Sequence, residues 1–366
     1  MGEPLRVGVV GCGTISGQYF DLAAATDAID IVAVADVDPG RARAAAERTG
    51  ARAVALDDVY GRADVEWILD LTTPAHHETV ALAAIAGGAS VYNEKPFCAT
   101  VEAARRVRDA ASAAGVGLGS APDTVLGTGI QTSRAVVDSG GIGRPVFATA
   151  TMVGPGHELW HPDPAFYYAP GGGPLLDMGP YYLTSLVTLL GPIASVYGAG
   201  RRTRLERVVA TGPKAGERFP VQVDSHVTAI CEHASGALST LIMTFDGAAS
   251  RAAHIEVHGE EGTLLVPDPN CFDGDVQVHA VGGEWRPVPP SAGYVGAGRG
   301  IGLVDVARGP DRLSGRANAD VGFHVLDVME SILRSAETGR REPVSSTCVV
   351  PPPVPLTDDW RSVSAD

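Results

Sequence analysis

The stretch Gly11-Cys12-Gly13-Thr14-Ile15-Ser16 decides the fold of the first third of this chain. It follows an apolar run, residues 6–10, that is typical of a buried β-strand, and it begins a segment of helical pattern. In such a strand–turn–helix unit, Gly11 permits the tight turn and Gly13 lets the backbone approach a pyrophosphate at the helix N-terminus. Ser16 stands where a third glycine is usual, and a small residue there still allows the helix to pack closely on the strand.

Short apolar strands alternate with helical segments up to about residue 120. The strand candidates are residues 6–10, 29–35, 67–71, 90–92 and 116–118, and the main helical candidates are residues 39–49, 77–86 and 101–114. Such alternation is typical of a parallel sheet with helices on both faces. We therefore predict a doubly wound α/β domain in the first third of the chain.

Asp36 indicates which nucleotide this domain binds. It stands at the end of the second predicted strand, 23 residues after Gly13. A carboxylate at this spacing accepts hydrogen bonds from the adenosine ribose hydroxyls and repels a 2′-phosphate. The sequence therefore predicts NAD as the cofactor and makes NADP the less favoured alternative. Arg41 is the residue that would favour NADP, since a basic side chain nearby could hold the phosphate.

Lys95 is the candidate proton-transfer group. The segment Asn93-Glu94-Lys95-Pro96 follows the predicted strand 90–92, and the carboxyl ends of strands in such a sheet face the ligand crevice. The pKa of a lysine is ordinarily near 10.4, and burial beside the positive nicotinamide would lower it. Lys95 could then accept the proton of a substrate hydroxyl while hydride leaves the carbon. Taken alone, Glu-Lys-Pro is more often a surface turn, so its place after a strand carries the interpretation.

A second segment at the same edge of the predicted sheet contains Thr73, Pro74 and His77. Pro74 ends the preceding strand and directs the chain into a helix. Thr73 and His77 are then expected near the ribose and nicotinamide of the cofactor. For the histidine, helix capping or a solvated position is an equally open interpretation.

Bulk composition argues against several classes of function. The 366 residues carry a formal net charge of −15, which argues against nucleic acid and anionic membranes as partners. The five cysteines are scattered without paired spacing, which indicates reduced thiols in a cytoplasmic protein rather than a disulfide framework or a zinc site. The N-terminus enters a strand at once, and no apolar run reaches the roughly 18 residues of a membrane span. We expect neither a signal peptide nor a transmembrane helix.

From about residue 121 the pattern changes, and β-like runs follow one another without helices between them. They cover residues 145–153, 193–198, 226–233, 237–245, 254–258, 262–266 and 276–281. Such runs suit a mostly antiparallel sheet, whose edges need cover, for instance by another subunit. We predict a dinucleotide-binding domain at 1–121, an α+β domain for substrate binding and oligomerisation at 122–345, and an extended proline-rich tail at 346–366.

The segment 154–168 is rich in aromatic residues for a solvent-exposed loop. Aromatic faces with hydrogen-bonding edges suit the apolar faces and hydroxyls of a sugar, so His157, Trp160 and His161 are predicted substrate contacts. Packing against another subunit is the alternative. The spacing of the two histidines also resembles that of metal ligands. However, Pro155 and Pro162 argue against a helix, and no third ligand follows, so we predict no metal site.

Together these segments resemble the glucose–fructose oxidoreductase / inositol dehydrogenase / rhizopine catabolism (Gfo/Idh/MocA) family. The matching residues are Gly11 to Ile15, Thr73-Pro74 with His77, Glu94-Lys95-Pro96, and Gly171 to Gly179. The resemblance implies an NAD(P)-dependent dehydrogenase or reductase of sugars, cyclitols or related polyols. It also implies a Rossmann domain followed by a domain with a large open, mainly antiparallel sheet, which often forms dimer and tetramer contacts. By this resemblance Gly11, Gly13, Thr14, Ile15, Asp36, Thr73, Pro74, His77, Glu94 and Lys95 are expected at the cofactor.

The sequence departs from the family in its second catalytic segment. There the family has a histidine four or five residues after an aspartate, whereas this chain has Asp177 followed by Tyr181 and Tyr182. A phenol titrates near pH 10 and is a poor base at neutral pH. We therefore assign Lys95 as the base, Asp177 as an orienting partner, and Tyr181 as a hydrogen-bonding positioner. Packing at the start of a helix is the alternative for the tyrosines.

These expectations define one leading function and two alternatives. The leading hypothesis is an NAD-dependent oxidoreductase that interconverts a secondary alcohol and a ketone on a sugar, amino sugar, glycoside or cyclitol, as a homodimer or homotetramer. One alternative is an enzyme that retains NAD and uses transient oxidation to cleave or isomerise a glycoside. The other is a non-enzymatic NAD-binding sensor, which the missing histidine suggests and the intact Lys95 and Asp177 argue against.

Overall fold

The computed structural model of the chain describes residues 3–362, which divide into two compact units. The first unit contains the described residues up to Gln131, Ser291–Phe323, and the described residues from Pro351 onward. The second unit contains Thr132–Pro290 and His324–Val350. The division differs from the predicted domains because two later segments belong to the first unit.

A parallel sheet forms the centre of the first unit. Its strands are β1 (Leu5–Val10), β2 (Ile29–Ala35), β3 (Arg52–Ala53), β4 (Trp67–Asp70), β5 (Ser90–Asn93) and β6 (Leu118–Ser120). Their order is β3-β2-β1-β4-β5-β6, and each neighbouring pair is parallel. Val10 at the end of β1 pairs with Ala35 on one side and Asp70 on the other, so three strand ends lie together. The predicted Rossmann sheet is confirmed.

The connections of the first unit are helical. They are α1 (Ser16–Ala24), α2 (Pro39–Thr49), α3 (Leu56–Val59), α4 (Pro74–Ala86) and α5 (Val101–Ala114). Pro39 and Pro74 stand at the first helical position, where a missing N–H removes no hydrogen bond. Asp38 accepts a hydrogen bond from the N–H of Gly40, 2.7 Å away, and Thr100 caps α5 in the same way.

The second unit is built on a larger sheet. The remaining helices are α6 (Thr128–Asp138), α7 (Pro174–Leu190), α8 (Ile301–Ala307, in the first unit) and α9 (Ala319–Thr338). The remaining strands are β7 (Pro145–Val153), β8 (Ile193–Arg201), β9 (Glu206–Val208), β10 (Arg218–Pro220), β11 (His226–His233), β12 (Leu238–Thr244), β13 (Ile255–Gly259), β14 (Gly262–Val266), β15 (Val276–Ala280), β16 (Trp285–Val288) and β17 (Glu342–Pro343). The large sheet has the order β16-β15-β14-β13-β7-β12-β11-β8-β17. Only β7 and β12 pair in parallel among its described strands, which confirms the mainly antiparallel sheet.

The two faces of the large sheet differ. Helix α7, nearly all of which is buried, packs on β7, β11 and β12 from one side. The other side presents Phe147, Tyr197, Ile230 and Leu238, each between 44% and 50% exposed. Ile230 pairs with Tyr197, and Phe147 pairs with Leu238, so these side chains share one face. We call this the apolar sheet face.

The C-terminal segment folds back onto the first unit. The N–H of buried Val354 donates to Oε1 of Gln131 at 2.9 Å, and the indole of buried Trp360 donates to the carbonyl of Val295 at 2.8 Å. These bonds join the described residues of the predicted extended tail from Pro351 onward to the first unit. Within residues 3–362, no helix combines the length and apolar character needed to cross a membrane.

Candidate functional site

The glycine turn after β1 has the geometry of a phosphate-binding loop. Gly11 has φ +94°, and a Cβ there would lie 2.8 Å from the backbone carbon of Leu71, so only glycine fits. A Cβ on Gly13 would meet no heavy atom within 4 Å, so the backbone faces open space there. Ser16 Oγ donates to the carbonyl of Gly13 at 2.7 Å and closes the turn. No side chain caps the N-terminus of α1, which suits an anionic ligand.

Asp36 joins the end of β2 to this turn. Its carboxylate accepts hydrogen bonds from the N–H of Cys12 at 2.7 Å and from the N–H of Asp38 at 2.8 Å. Arg41 Nε lies 3.7 Å from Asp38 Oδ2 and forms an ion pair with it. The basic side chain therefore has an acidic neighbour of its own. Burial, and then the charge of Asp36, raise the pKa of the Cys12 thiol to about 11, so this cysteine stays protonated at neutral pH.

His77 occupies a structural position in the turn after β4. The ring is fully buried, with Nδ1 2.9 Å from the carbonyl oxygen of Pro96 and Nε2 3.1 Å from that of Thr72. It therefore links the turn before α4 to the segment after β5. Thr73 is exposed, and its Oγ1 lies 3.0 Å from Nδ1 of His76. The predicted contacts of Thr73, Pro74 and His77 with a nucleotide stay predictions.

The backbone on both sides of Lys95 is held by buried side chains. Glu94 accepts a hydrogen bond from the hydroxyl of Tyr19 at 2.8 Å and from the N–H of Lys95 at 2.6 Å. Asn93 donates from Nδ2 to the carbonyl of Phe97 at 2.8 Å. Burial, and then the charge of Glu94, raise the pKa of Tyr19 well above its ordinary value, so the phenol remains a donor. Lys95 itself is half-buried, and its peptide bond to proline is cis.

In the second unit, Asp177 lies in the first turn of α7 and pairs with His157. Nε2 of His157 is 3.3 Å from Oδ2 of Asp177, and the two side chains are 13% and 15% exposed. The imidazole stacks on Tyr167, with ring centroids 3.8 Å apart and planes inclined by 22°. It also meets Phe245 edge-on at 4.5 Å. The structure therefore brings together two residues that the sequence placed in different roles.

A buried charged network anchors the loop that contains His157. The hydroxyl of Tyr168 donates to Glu158, and the guanidinium of Arg207 donates to both Glu158 and Asp246. The hydroxyl of Tyr168 also accepts from the N–H of His157 at 3.1 Å. Arg207 is 3% exposed, so its charge is neutralised by these two carboxylates rather than by water. The sequence pattern singled out the segment of Glu158 and Tyr168 but gave no sign of the network, since Arg207 lies 49 residues from Glu158 and 39 from Asp246.

The other predicted substrate residues form an aromatic ridge. Trp160 is 60% exposed, and His161 meets Trp160 and Phe166 edge-on at 5.5 and 5.4 Å. Nδ1 of His161 accepts from the N–H of Asp163 at 3.0 Å. Among the residues that the structure describes, no three His, Cys, Asp or Glu side chains are grouped as metal ligands.

The tyrosines of α7 are buried. Tyr181 is 4% exposed, and its carbonyl accepts from Oγ of Ser185 at 2.9 Å. The hydroxyl of Tyr182 lies 2.8 Å from Nδ1 of His254. Burial, followed by the charge of Asp268, raises the pKa of Tyr182 above its ordinary value. Tyr182 therefore packs and hydrogen-bonds within its unit, while the positioning role of Tyr181 stays a prediction.

Two family models match the chain. The first is described as an oxidoreductase family with an NAD-binding Rossmann fold and matches residues 5–121. The second is described as the GFO/IDH/MocA C-terminal domain and matches residues 130–265. Together the two matches cover more than half of the chain, and each lies mainly in one of the two units.

Curated relatives and solved structures agree with these matches. The chain is 37% identical over 151 residues to inositol 2-dehydrogenase 3 of Saccharopolyspora erythraea and 35% identical over 151 residues to inositol 2-dehydrogenase of Burkholderia ambifaria. Each match covers 39% of this chain and 44% of the relative, so it spans less than half the length of these relatives. An NAD binding oxidoreductase from Klebsiella pneumoniae has a TM-score of 0.81 at 23% identity, with 94% of this chain and 100% of that chain covered. Levoglucosan dehydrogenase in complex with NADH and L-sorbose has a TM-score of 0.78 at 22% identity and the same coverage. These structures share the fold.

Proposed function

Because this chain belongs to the Gfo/Idh/MocA oxidoreductase family, we propose that it interconverts a secondary alcohol and a ketone with NAD as cofactor. The substrate class is a sugar, amino sugar, glycoside or cyclitol. The observation that carries the proposal is Lys95 just after the end of β5, in the same unit as an open glycine turn. Similarity to inositol 2-dehydrogenases supports the substrate class.

The residues of the first unit fit NAD. Open space at Gly13 leaves room for the pyrophosphate, and Asp36 supplies an acceptor for the ribose hydroxyls. The ion pair of Arg41 with Asp38 supports NAD over NADP, because the guanidinium is already partnered. When bound, NAD supplies the acceptor for the hydride that leaves the carbinol carbon.

A residue of the protein must then accept the proton of the substrate hydroxyl. We assign it to the neutral amine of Lys95: the O–H bond breaks, the amine gains the proton, and the carbinol becomes a ketone as its hydride departs. For Asp177 and Tyr181 of the second unit we propose that the first orients the substrate and the second supplies a hydrogen bond to it. In the reverse direction the lysine ammonium returns the proton to the alkoxide.

The lysine content of the chain makes this assignment directly testable. Lys95 and Lys214 are the two lysines of the sequence. Lys214 is exposed, and its hydrogen bond to Asp163 raises its pKa. Reductive methylation with a carbon-13 label therefore gives, among lysine signals, one from the proposed base and one from a built-in reference, and the α-amino signal is set apart by its lower pKa. We expect the pKa of Lys95 to fall below that of Lys214 when NAD is bound. Equal pKa values with NAD bound would contradict the assignment of Lys95 as base.

Turnover tests the function itself. Purified protein is incubated with NAD and a panel of cyclitols, hexoses, glycosides and amino sugars while NADH absorbance is followed. We expect NADH from one class with the wild type and with Lys214→Met, and a loss of about 100- to 10,000-fold with Lys95→Met. Substrate conversion without net NADH would indicate an enzyme that retains its cofactor. NAD binding without any conversion would indicate a sensor.

We also propose that a second copy of the chain covers the apolar sheet face. A single exposed apolar residue is common on protein surfaces, but four large apolar side chains on neighbouring strands form a patch. Such a patch favours association with another protein surface. Light scattering after size exclusion should give a dimer or tetramer for the wild type and a smaller species for Ile230→Asp. Val37→Asp changes an exposed apolar residue of the first unit and is the matched control. A monomeric wild type would refute the proposal.

A further inference from the structure

We propose that His157 is a positioning residue for Asp177, so that the imidazole next to this carboxylate comes from the loop before α7. The inference rests on the proposed function, since it assigns Asp177 a part in substrate binding. Helix α7 contains Asp177 but no histidine of its own. The loop that precedes it brings Nε2 of His157 to 3.3 Å from Oδ2 of Asp177.

The surroundings of the imidazole leave one hydrogen bond for it to make. Nδ1 of His157 is buried and has no hydrogen-bond partner among the described residues. A buried N–H without an acceptor is costly, so we assign the ring hydrogen of the neutral imidazole to Nε2. In the proposed pairing this hydrogen lies on the nitrogen that is 3.3 Å from Oδ2 of Asp177. The orphaned Nδ1 is the independent sign that the ring is placed for this one contact.

The imidazole is held on several sides. Tyr167 stacks on its face at 3.8 Å, and Phe245 meets it edge-on at 4.5 Å. The backbone N–H of His157 donates to the hydroxyl of Tyr168, which belongs to the buried network of Glu158 and Arg207. Because these contacts already fix the ring, it can donate to Asp177 without losing further conformational freedom. Residues that support a functional site are usually held in place in this way.

The effect on Asp177 follows from carboxylate geometry. Fixing Oδ2 sets the plane of the carboxylate and hence the direction in which Oδ1 accepts hydrogen bonds. Asp177 lies in the first turn of α7, where the partial positive charge of the helix N-terminus attracts a carboxylate. An oriented carboxylate suits a hydroxyl or ammonium group of the substrate and disfavours a carboxylate or phosphate group. His157 therefore acts through Asp177 on substrate orientation, while the proton transfer belongs to Lys95.

Two substitutions separate the hydrogen bond from the stacking. His157→Phe keeps an aromatic ring against Tyr167 and removes the donor, whereas His157→Gln keeps an N–H donor and removes the ring. We expect His157→Phe to lower kcat/KM by about 10- to 100-fold and His157→Gln to retain most of the activity. In an Asp177→Asn background, His157→Phe should cause little further loss. Independent, multiplicative losses would overturn the proposal. His279→Phe, a histidine edge-on to Trp285, is the matched control.

A second measurement needs no substrate. With nitrogen-15-labelled histidine, the His157 signals, identified by their loss in His157→Phe, report which ring nitrogen carries hydrogen. We expect the hydrogen on Nε2 in the wild type and a changed signature in Asp177→Asn. A hydrogen on Nδ1, or no response to Asp177→Asn, would refute the pairing. This readout tests the positioning role even where turnover fails, so its failure and that of the proposed function are distinguishable.

Discussion

Replacement of Asp36 by asparagine tests how the first unit selects its nucleotide. The side chain keeps its shape but loses its charge, and one of its two acceptor oxygens becomes a donor. Asp36 holds the N–H groups of Cys12 and Asp38 at 2.7 and 2.8 Å, so the variant also loses one of these bonds. Both effects weaken NAD binding: the ribose loses a charged acceptor, and the glycine turn loses a tether.

The expected loss of NAD affinity follows from the strength of a hydrogen bond to a charged group. Such a bond contributes about 1.5–3 kcal/mol, which corresponds to a change of about 10- to 150-fold in Kd. We expect NAD to bind Asp36→Asn more weakly by this factor. NADP should bind more tightly than to the wild type, because the charge that repels its 2′-phosphate is gone. Calorimetric titration with each nucleotide measures both changes without a substrate.

The neighbouring carboxylate provides the control. Asp38→Asn removes one negative charge two residues away, and asparagine caps α2 as well as aspartate does. If the effect were one of overall charge, both variants would behave alike. Equal NAD affinities for Asp36→Asn and Asp38→Asn would refute the assignment of the ribose to Asp36. Thermal unfolding of both variants without nucleotide separates loss of binding from loss of fold.

Two further predictions concern a glycine and a buried histidine. Gly13→Val should leave the unfolding temperature without NAD nearly unchanged and abolish NAD binding, because its side chain enters open space that the pyrophosphate needs. Gly11→Ala should instead lower the unfolding temperature without NAD, and equal melting of the two variants would contradict this account. Burial lowers the pKa of His324 to about 4 from 6.5, and its Nε2 accepts from the N–H of Ile193. The neutral form thus stabilises the fold above pH 6.5, and about 3 kcal/mol is lost as the pH falls towards 4. The free energy of unfolding, measured with denaturant across this pH range, should depend less on pH in His324→Gln than in the wild type. An equal dependence on pH in the two proteins would contradict the role of His324.

The first unit was predictable because its signals are local. A strand, a glycine turn and a helix follow within twenty residues, and Pro39 with Asp38 marks a helix start without any tertiary information. Helix α4 begins at Pro74 rather than at the predicted residue 77, since proline suits the first helical position. The two-residue strand β3 was missed because Arg52 and Ala53 are exposed and carry no apolar pattern.

The second unit was harder because its determinants are distant in sequence. Strands β9 and β10 are three residues each, and Arg207 on β9 meets Glu158 across 49 positions. No spacing rule connects an arginine to a carboxylate at such a distance. The return of Ser291–Phe323 to the first unit also depends on pairing that only the fold provides, such as the bonds from Gly300 and Gly302 to buried Asp123.

The polar residues of the motifs differ in whether their hydrogen-bonding atoms already have partners within the protein. Both ring nitrogens of His77 lie beside backbone carbonyls, and both oxygens of Glu94 accept bonds from Tyr19 and from the N–H of Lys95. These contacts hold the turn before α4 and the segment after β5 in place, and the predicted contacts of His77 and Glu94 with the cofactor stay predictions. His157 differs, since one nitrogen has no partner and the other lies beside Asp177. A motif match identifies the segment, whereas the hydrogen bonds that each of its side chains makes depend on residues that only the fold brings together.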